Sequence, residues 1–123
     1  MAKKVLIVDD EPNIVLSVEF LMKREGFEVA VARNGQEAMD FLASEVPDLV
    51  ILDVMMPLKN GFEVCEEVRA DDRYADMPIL MLTAKARGAE IDKGLSLGAN
   101  AYIPKPFSTH ELVAKVKELV AQP

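Results

Sequence analysis

Near its beginning the chain reads Val5-Leu6-Ile7-Val8-Asp9-Asp10, an unbroken apolar run followed by two carboxylates. A strand with one face in water alternates apolar and polar side chains, whereas a strand covered on both faces is apolar throughout. Comparable apolar runs occur at residues 49–52, 79–82 and 101–103. These runs predict buried strands of a parallel sheet, and the weaker segment 27–32 suits a strand at the sheet edge.

Helical periodicity fills the intervals between these runs. Apolar residues recur three and four positions apart in two segments, which predicts amphipathic helices that bury one face. The residues concerned are Ile14, Val15, Val18, Leu21 and Met22 in the first segment, and Leu112, Val113, Val116, Leu119 and Val120 in the second. Shorter helices are predicted at residues 35–44, 62–69 and 88–97.

Polar residues and glycines mark the predicted helix ends. A capping residue followed three positions later by glutamate is typical of a helix N-terminus, and glycine is typical of a C-terminus. The predicted N-terminal pairs are Asn34 with Glu37 and Ser108 with Glu111, and the predicted C-terminal glycines are Gly26 and Gly98.

The order of elements predicts the fold class. Strand and helix alternate five times along the chain. Parallel strands need right-handed crossover connections, so helices must cover both faces of the sheet. The sequence therefore predicts an α/β fold with a doubly wound, five-stranded parallel sheet. Its 123 residues suit a single domain spanning 1–123, without an effector domain.

Composition excludes several other classes of protein. No apolar run approaches the roughly 20 residues that cross a membrane, and no cleavable leader is recognisable, so we expect a cytoplasmic protein. The net charge of −7 disfavours direct binding to nucleic acid. Cys65 and His110 are the only residues of their types, which excludes a disulfide framework and the common zinc sites. The glycines are scattered singly, so no glycine-rich nucleotide loop is present.

Polar groups follow each strongly apolar run. Asp9 and Asp10 follow the first run, Asp53 the second and Thr83 the third, and Lys105 stands two positions beyond the last. In open α/β sheets, ligands bind beyond the carboxyl ends of the strands. We therefore expect three carboxylates, one hydroxyl and one ammonium group at a single rim of the sheet.

This set of groups predicts phosphoryl chemistry. At about 5 Å and an effective dielectric constant near 20, each pair of ionised carboxylates repels by roughly 3 kcal/mol. Either some of the carboxylates stay protonated or a cation sits among them. For a cation, a sparse set of oxygen ligands favours Mg²⁺ or Mn²⁺ over zinc and calcium. The ammonium and hydroxyl groups could hold a tetrahedral oxyanion, while Asp53 is the natural nucleophile for its phosphorus.

Taken singly, these residues have ordinary structural interpretations. Asp9 or Asp10 could cap the helix that begins near Pro12, and Asp53 could be a turn residue. Thr83 could be a cap or a core threonine, and Lys105 a solvated surface residue. The joint pattern favours a functional site, because every strongly apolar strand ends in a group useful for the same chemistry.

The sequence resembles the receiver domain of bacterial two-component response regulators, in particular the chemotaxis regulators, along its whole length. The resemblance rests on motifs in a fixed order. These are Val5-Leu6-Ile7-Val8-Asp9-Asp10-Glu11, Leu52-Asp53-Val54-Met55-Met56-Pro57, Gly61, Leu82-Thr83-Ala84 and Gly98-Ala99-Asn100-Ala101-Tyr102-Ile103-Pro104-Lys105-Pro106-Phe107.

The resemblance implies a flavodoxin-like fold with strand order 2-1-3-4-5 and a role for each site residue. Asp53 would accept a phosphoryl group from a sensor histidine kinase or a histidine phosphotransfer protein. Asp10, Asp53 and the main-chain carbonyl of Met55 would bind Mg²⁺ directly, and Asp9 through water. Thr83 and Lys105 would hold phosphoryl oxygens.

The resemblance also implies a conformational switch. Tyr102 would turn inward when Thr83 shifts, Ala84 would leave room beside the phosphate, and the Lys105–Pro106 peptide bond would be cis. The side chain of Met55 occupies a position that varies in the family and is thought to tune the lifetime of the phosphoryl group.

The implied output surface comprises the last two helices and the strand between them. Its candidate residues are Lys93, Ser96, Asn100, Tyr102, His110 and Val113. A downstream protein would bind there, and a phosphorylation-dependent homodimer is a further expectation; neither nucleic acid nor a membrane is expected as a direct partner.

Three functions remain open from the residues. The first is a signalling switch that catalyses only its own phosphorylation and dephosphorylation. The second is a small Mg²⁺-dependent phosphatase with an aspartyl-phosphate intermediate, but such enzymes usually carry a second aspartate two residues after the nucleophile, where this chain has Met55. The third is a flavin-binding electron carrier, whose cofactor phosphate Asp9 and Asp10 would repel.

Overall fold

The computed structural model describes residues 2–83 and 88–121. The strands are β1 (Lys4–Val8), β2 (Glu28–Ala32), β3 (Leu49–Asp53), β4 (Ile79–Thr83) and β5 (Ala101–Pro104). All neighbouring strands are parallel, and they form one sheet in the order β2-β1-β3-β4-β5. The predicted fold class and strand order are therefore confirmed.

Helices cover both faces of this sheet. They are α1 (Pro12–Arg24), α2 (Gly35–Ser44), α3 (Gly61–Arg69), α4 (Gly88–Ser96) and α5 (Thr109–Val120), and a 3₁₀ turn lies at Asp72–Tyr74. The apolar faces of α1 and α5 pack on one face of the sheet. α2 and α3 pack on the other face, where Gly94 of α4 lies against Met81 and Tyr102. No helix in the described ranges has the length and apolar character to cross a bilayer.

The burial of the strands follows their sequence. β3 and β4 are buried at every position, and in β1 only Lys4 is partly exposed. β2 is half-exposed and lies at the sheet edge, as its weaker apolar pattern predicts. Because all strands run the same way, the residues that follow β1, β3, β4 and β5 meet at one end of the sheet.

The helix ends agree in part with the prediction. Gly26 and Gly98 have the positive φ values, +92° and +111°, that favour glycine after a helix. Asn34 and Ser108 each accept a hydrogen bond from the main chain three residues on.

The fully reciprocal capping box lies elsewhere, at the start of α3. There Asn60 and Glu63 each accept a hydrogen bond from the other's main-chain N–H. In contrast, Glu37 reaches past Asn34 to accept from the main chain of Arg33. The Asn60-Gly61-Phe62-Glu63 pattern carries this capping signal in the sequence, although it is not among the predicted helix starts.

Candidate functional site

Three carboxylates converge at the carboxyl end of the sheet. One oxygen from each of Asp9, Asp10 and Asp53 lies within 4.8 Å of the others. Asp9 and Asp53 are 1% and 4% exposed, whereas Asp10 faces solvent. The central strands β1 and β3 are hydrogen-bonded neighbours, with Val8 in register with Leu52, and this pairing brings the residues that follow them together.

Lys105 completes the cluster from the connection between β5 and α5. Its Nζ lies 2.9 Å from Oδ2 of Asp9 and 3.3 Å from Oδ1 of Asp53. Burial opposes the charged form of this side chain, but the hydrogen bonds and charges of the two aspartates outweigh it and raise the pKa of Lys105. The interpretation of Lys105 as a solvated lysine is wrong, because its side chain is only 12% exposed.

Asp53 carries the most perturbed carboxyl group of the site. Burial and then the charge of Asp9 raise the pKa of Asp53 from 3.8 to about 6. Lys105 and a main-chain hydrogen bond from Met55 act in the opposite direction. The ionised form is thus partly compensated by its neighbours, and an additional positive charge would stabilise it further.

The donor set fits a divalent cation of the magnesium type. Three carboxylates and one ammonium group leave a formal charge of −2 when all are ionised. The available ligands are oxygens, and Asp10 opens the cluster to water, which suits a hard cation that keeps part of its hydration shell. The main-chain carbonyl of Met55 belongs to the loop that leaves Asp53, while the Met55 side chain is exposed.

Neither acidic residue after β1 caps the following helix. The N-cap of α1 is Glu11, whose side chain makes no capping hydrogen bond, and Pro12 opens the helix. Oδ1 of Asp9 instead accepts a hydrogen bond from the main-chain N–H of Glu11, at 2.9 Å. The capping interpretation of Asp9 and Asp10 is therefore wrong, and one carboxylate oxygen of the exposed Asp10 lies within 4.8 Å of those of Asp9 and Asp53.

Thr83 ends β4 beside this cluster and is buried. Its main-chain carbonyl accepts a hydrogen bond from the main-chain N–H of Lys105, at 2.6 Å. This bond joins the ends of β4 and β5 directly. The peptide bond from Lys105 to Pro106 is cis, as the resemblance implies. Ala84, expected beside the phosphate, lies outside the described residues.

Tyr102 lies half-buried on β5, next to Thr83. Burial raises the pKa of its phenol, and the side chain of Thr83 partly offsets that effect. The phenol oxygen is buried and lacks a hydrogen bond of good geometry to the part of the chain that the structure describes. Its ring faces Gly94 of α4, and a Cβ atom at that position would lie 3.2 Å from the ring, so a larger residue there would require the ring to shift slightly.

The other candidate output residues do not join the carboxylate cluster. His110 is exposed, Lys93 lies 4.6 Å from the ring of Phe62, and Val113 packs against the core. Ser96 donates a hydrogen bond to the carbonyl of Lys93.

Asn100 has a structural function that its sequence context did not reveal. Its Oδ1 accepts hydrogen bonds from the main chain of Ile79 and from Arg69, each at 2.8 Å. Arg69 also donates to the carbonyls of Tyr74, Met77 and Gly98. Asn100 and Arg69 together fix the end of the sheet opposite the carboxylates.

Comparison with known proteins agrees with this geometry. The family profile of the response regulator receiver domain matches residues 5–117. A putative response regulator from Chloroflexus aurantiacus is 36% identical, with a TM-score of 0.95 over 99% of this chain and 100% of its own. The chemotaxis response regulator CheY4 of Vibrio cholerae is 34% identical, with a TM-score of 0.91 over 97% of this chain and 99% of its own.

A third relative is the receiver domain of a sensor histidine kinase from Pseudomonas aeruginosa. It is 25% identical, with a TM-score of 0.91 over 99% of this chain and 100% of its own, and it has a magnesium ion coordinated in its active site cleft. The phosphatase alternative gains no support from these matches.

Receiver domains are signalling switches, generally not turnover enzymes, and they interact with histidine kinases and downstream effectors. The family binds Mg²⁺ at an acidic pocket. The aspartate cluster, the parallel sheet that assembles it and the match over residues 5–117 agree. The chain belongs to the response regulator receiver domain family.

Proposed function

We propose that the protein is a cytoplasmic switch that is activated by phosphorylation of Asp53. The observation that carries this proposal is the convergence of Asp53 with Asp9, Asp10 and Lys105 in one acidic pocket. Asp10, Asp53 and the Met55 carbonyl would hold Mg²⁺ directly and Asp9 through water, and Mn²⁺ could replace it. When bound, the cation supplies positive charge next to the acceptor carboxylate.

Asp53 is the nucleophile in this proposal. A carboxylate oxygen forms a bond to phosphorus while the bond from phosphorus to the donor's histidine nitrogen breaks, and that nitrogen keeps the electron pair. With a pKa of about 6, Asp53 is mostly ionised at neutral pH and so is available for attack. Thr83 and Lys105 would then hold oxygens of the transferred group.

The energetics of the switch indicate that phosphorylation acts together with a partner. A new phosphoryl group brings a charge of about −1.5 to −2. A hydrogen bond from Thr83 contributes roughly 1 kcal/mol and a charge-assisted bond from Lys105 roughly 1.5–3 kcal/mol. Because Lys105 already contacts Asp53, its gain lies at the low end of that range. A complete shift needs about 5.5 kcal/mol, so a downstream protein completes it.

Tyr102 would report the switch to the output surface of α4, β5 and α5. Its phenol lies close to Thr83, so a movement of Thr83 toward a phosphoryl group changes the space beside the ring. A downstream protein, or a second copy of the chain in the phosphorylated state, would bind at this surface. NMR spectra of Tyr102 with and without beryllofluoride test this step, and an unchanged Tyr102 environment would contradict it.

The phosphodonor would dock beside α1. This helix begins two residues after Asp10 and exposes Leu16 and Phe20, which are 66% and 65% accessible. Next to Phe20 lies a groove of about 490 Å³ between α1 and the segment that follows Lys105. Its lining residues are Ile14, Ser17, Phe20, Leu21, Arg24, Pro106, Phe107 and Thr109. An exposed apolar surface on the helix that follows Asp10 is suited to a protein donor.

The deciding experiment is chemical. The protein is incubated with Mg²⁺ and acetyl phosphate, and its intact mass is measured. We expect one phosphoryl adduct that is absent without Mg²⁺ and absent from Asp53→Asn. The matched control is Asp40→Asn, an exposed aspartate on α2, which should form the adduct like the wild type. An adduct that persists in Asp53→Asn, or sustained hydrolysis of varied phosphate esters, would contradict the proposal.

A further inference from the structure

The first residue of α2 presses against the connection between β3 and α3. A Cβ atom added to Gly35 would lie 2.5 Å from Cβ and 2.8 Å from the carbonyl carbon of Lys59, well below the 3.0 Å that real Cβ contacts respect. The φ of Gly35 is not in the left-handed region, unlike those of Gly26 and Gly98. Glycine is therefore required at position 35 by the contact with Lys59 and not by its own backbone conformation.

The connection that Gly35 touches is strained. Leu58 has a φ of +68°, a value that leucine rarely adopts, and its side chain is 81% exposed. Packing of the Leu58 side chain cannot hold this conformation, so neighbouring contacts must do so. Lys59 supplies them: its main-chain N–H donates to the carbonyl of Pro57, and its ammonium group pairs with Glu67 of α3.

A second glycine fixes the other end of the same connection. A Cβ on Gly61 would lie 2.8 Å from Cα of Val54 and would collide with the main chain of Asp53. The N–H of Gly61 donates to the carbonyl of Val54, at 2.9 Å. The segment from Asp53 to Gly61, which includes Met55, is thus held between the first residues of α2 and α3.

We propose that Gly35 is a positioning residue for the phosphorylation site. Through its contact with Lys59, it holds the strained connection in the conformation that aligns the main chain of Met55 with the carboxylate of Asp53. The functional role of Gly35 rests on the proposed function. The alignment of the Met55 main chain with the Asp53 carboxylate, in contrast, is a property of the cation-free protein. A side chain at position 35 pushes Lys59 away and lets Leu58 relax, and the Met55 main chain moves with it.

The test compares Gly35→Ala with Gly26→Ala. Gly26 also has a special position, but a Cβ there meets nothing within 4 Å, and its positive φ makes alanine destabilising without touching the site. In cation-free protein, the amide resonances of Asp53 and Met55 should shift in Gly35→Ala and stay in place in Gly26→Ala. The Mg²⁺ dissociation constant from calorimetry should rise about tenfold in Gly35→Ala alone, as is typical when a supporting contact is lost.

Unchanged Asp53 and Met55 resonances in Gly35→Ala, or equal effects in both variants, would overturn the inference. Glu67→Ala provides a second variant should Gly35→Ala not fold: it removes the partner of Lys59 on α3 and should shift the same resonances in the same direction. A wild type that takes neither Mg²⁺ nor a phosphoryl group would overturn the proposed function instead, whatever the resonances show for Gly35.

Discussion

Lys105 and Asp53 form an ion pair, 3.3 Å from nitrogen to oxygen, with 12% and 5% of their side chains exposed. Replacing Lys105 with methionine leaves Asp53 and Asp9 without their shared cation. Breaking a buried pair typically costs about 3–5 kcal/mol, and proton uptake by a carboxylate reduces that, so we expect a loss of about 2–3 kcal/mol in the free energy of unfolding at pH 7. Urea denaturation measures it.

Lys115→Met is the control for this change. Lys115 pairs with Glu118 on the surface of α5, so its replacement should alter stability by less than about 1 kcal/mol. Equal losses in the two variants would contradict the importance of the buried pair. Phosphorylation by acetyl phosphate should slow strongly in Lys105→Met only.

The raised pKa of Asp53 predicts a pH-dependent stability of the cation-free protein. The folded state holds the proton more tightly than the unfolded state, whose pKa is near 3.8. The stability that this proton provides is full below pH 3.8 and is lost as the pH rises through about 6. Asp53→Asn lacks this loss, so at pH 7 it should be more stable than the wild type by on the order of 2 kcal/mol.

Denaturation curves between pH 4 and pH 7.5 measure this effect. The difference between Asp53→Asn and the wild type should grow over the window between 3.8 and about 6 and then level off. Saturating Mg²⁺ should shrink it, because the cation stabilises the ionised carboxylate. A difference that does not depend on pH would show that the surroundings of Asp53 do not raise its pKa.

The left-handed conformation of Leu58 predicts a stabilising substitution. Asparagine tolerates this region better than leucine, so Leu58→Asn should raise the melting temperature, corresponding to about 0.5–1 kcal/mol. Leu16→Asn is the control, since Leu16 is similarly exposed but lies within α1, where asparagine is the poorer helix former. That variant should lose stability, and the same sign for both would refute the strain.

Docking beside α1 predicts that Phe20 matters to a protein donor but not to a small one. With a histidine kinase that phosphorylates the wild type, Phe20→Ser should slow transfer by about tenfold, as loss of a well-packed aromatic contact does. Its rate with acetyl phosphate should not change. Val46→Ser removes a comparably exposed apolar residue before β3 and should leave both rates unchanged. Slowing with acetyl phosphate would indicate a distorted site instead.

Arg69 predicts a large structural effect far from the carboxylates. Arg69→Met removes hydrogen bonds to the carbonyls of Tyr74, Met77 and Gly98 and to Asn100. Partly buried carbonyls without a donor are costly, so we expect a loss of about 3 kcal/mol in unfolding free energy. Arg73→Met removes an exposed pair with Asp71 and the contact of the guanidinium with the ring of Tyr74, and should cost about 1 kcal/mol. Similar losses by calorimetry would contradict this.

The fold and the carboxylate cluster were predictable because both depend on simple regularities. Apolar runs fixed the strands to within one or two residues, and parallel strands must present their carboxyl ends on one side. The sequence alone therefore predicts that the side chains of Asp9, Asp53 and Lys105 lie close together. The strand order followed from the family resemblance and is confirmed.

Contacts between non-periodic positions could not be predicted in this way. Gly35 has no side chain, and its main chain packs against Lys59. Arg69 donates hydrogen bonds to the carbonyls of Gly98 and Tyr74, which lie in different connections between helix and strand. Such contacts depend on loop paths, which apolar periodicity does not encode. Asn100 shows the same limit: it is exposed, and the sequence did not predict that its side chain joins Arg69 to the start of β4.

The hydrogen bond from the N–H of Lys105 to the carbonyl of Thr83 has a wider consequence. It is made of backbone atoms alone, so replacing either side chain leaves the connection in place, except where proline at position 105 would remove the N–H. Substitutions can thus change the side chains of the lysine and the threonine independently, while the mechanical coupling of their two strands is inherited unchanged.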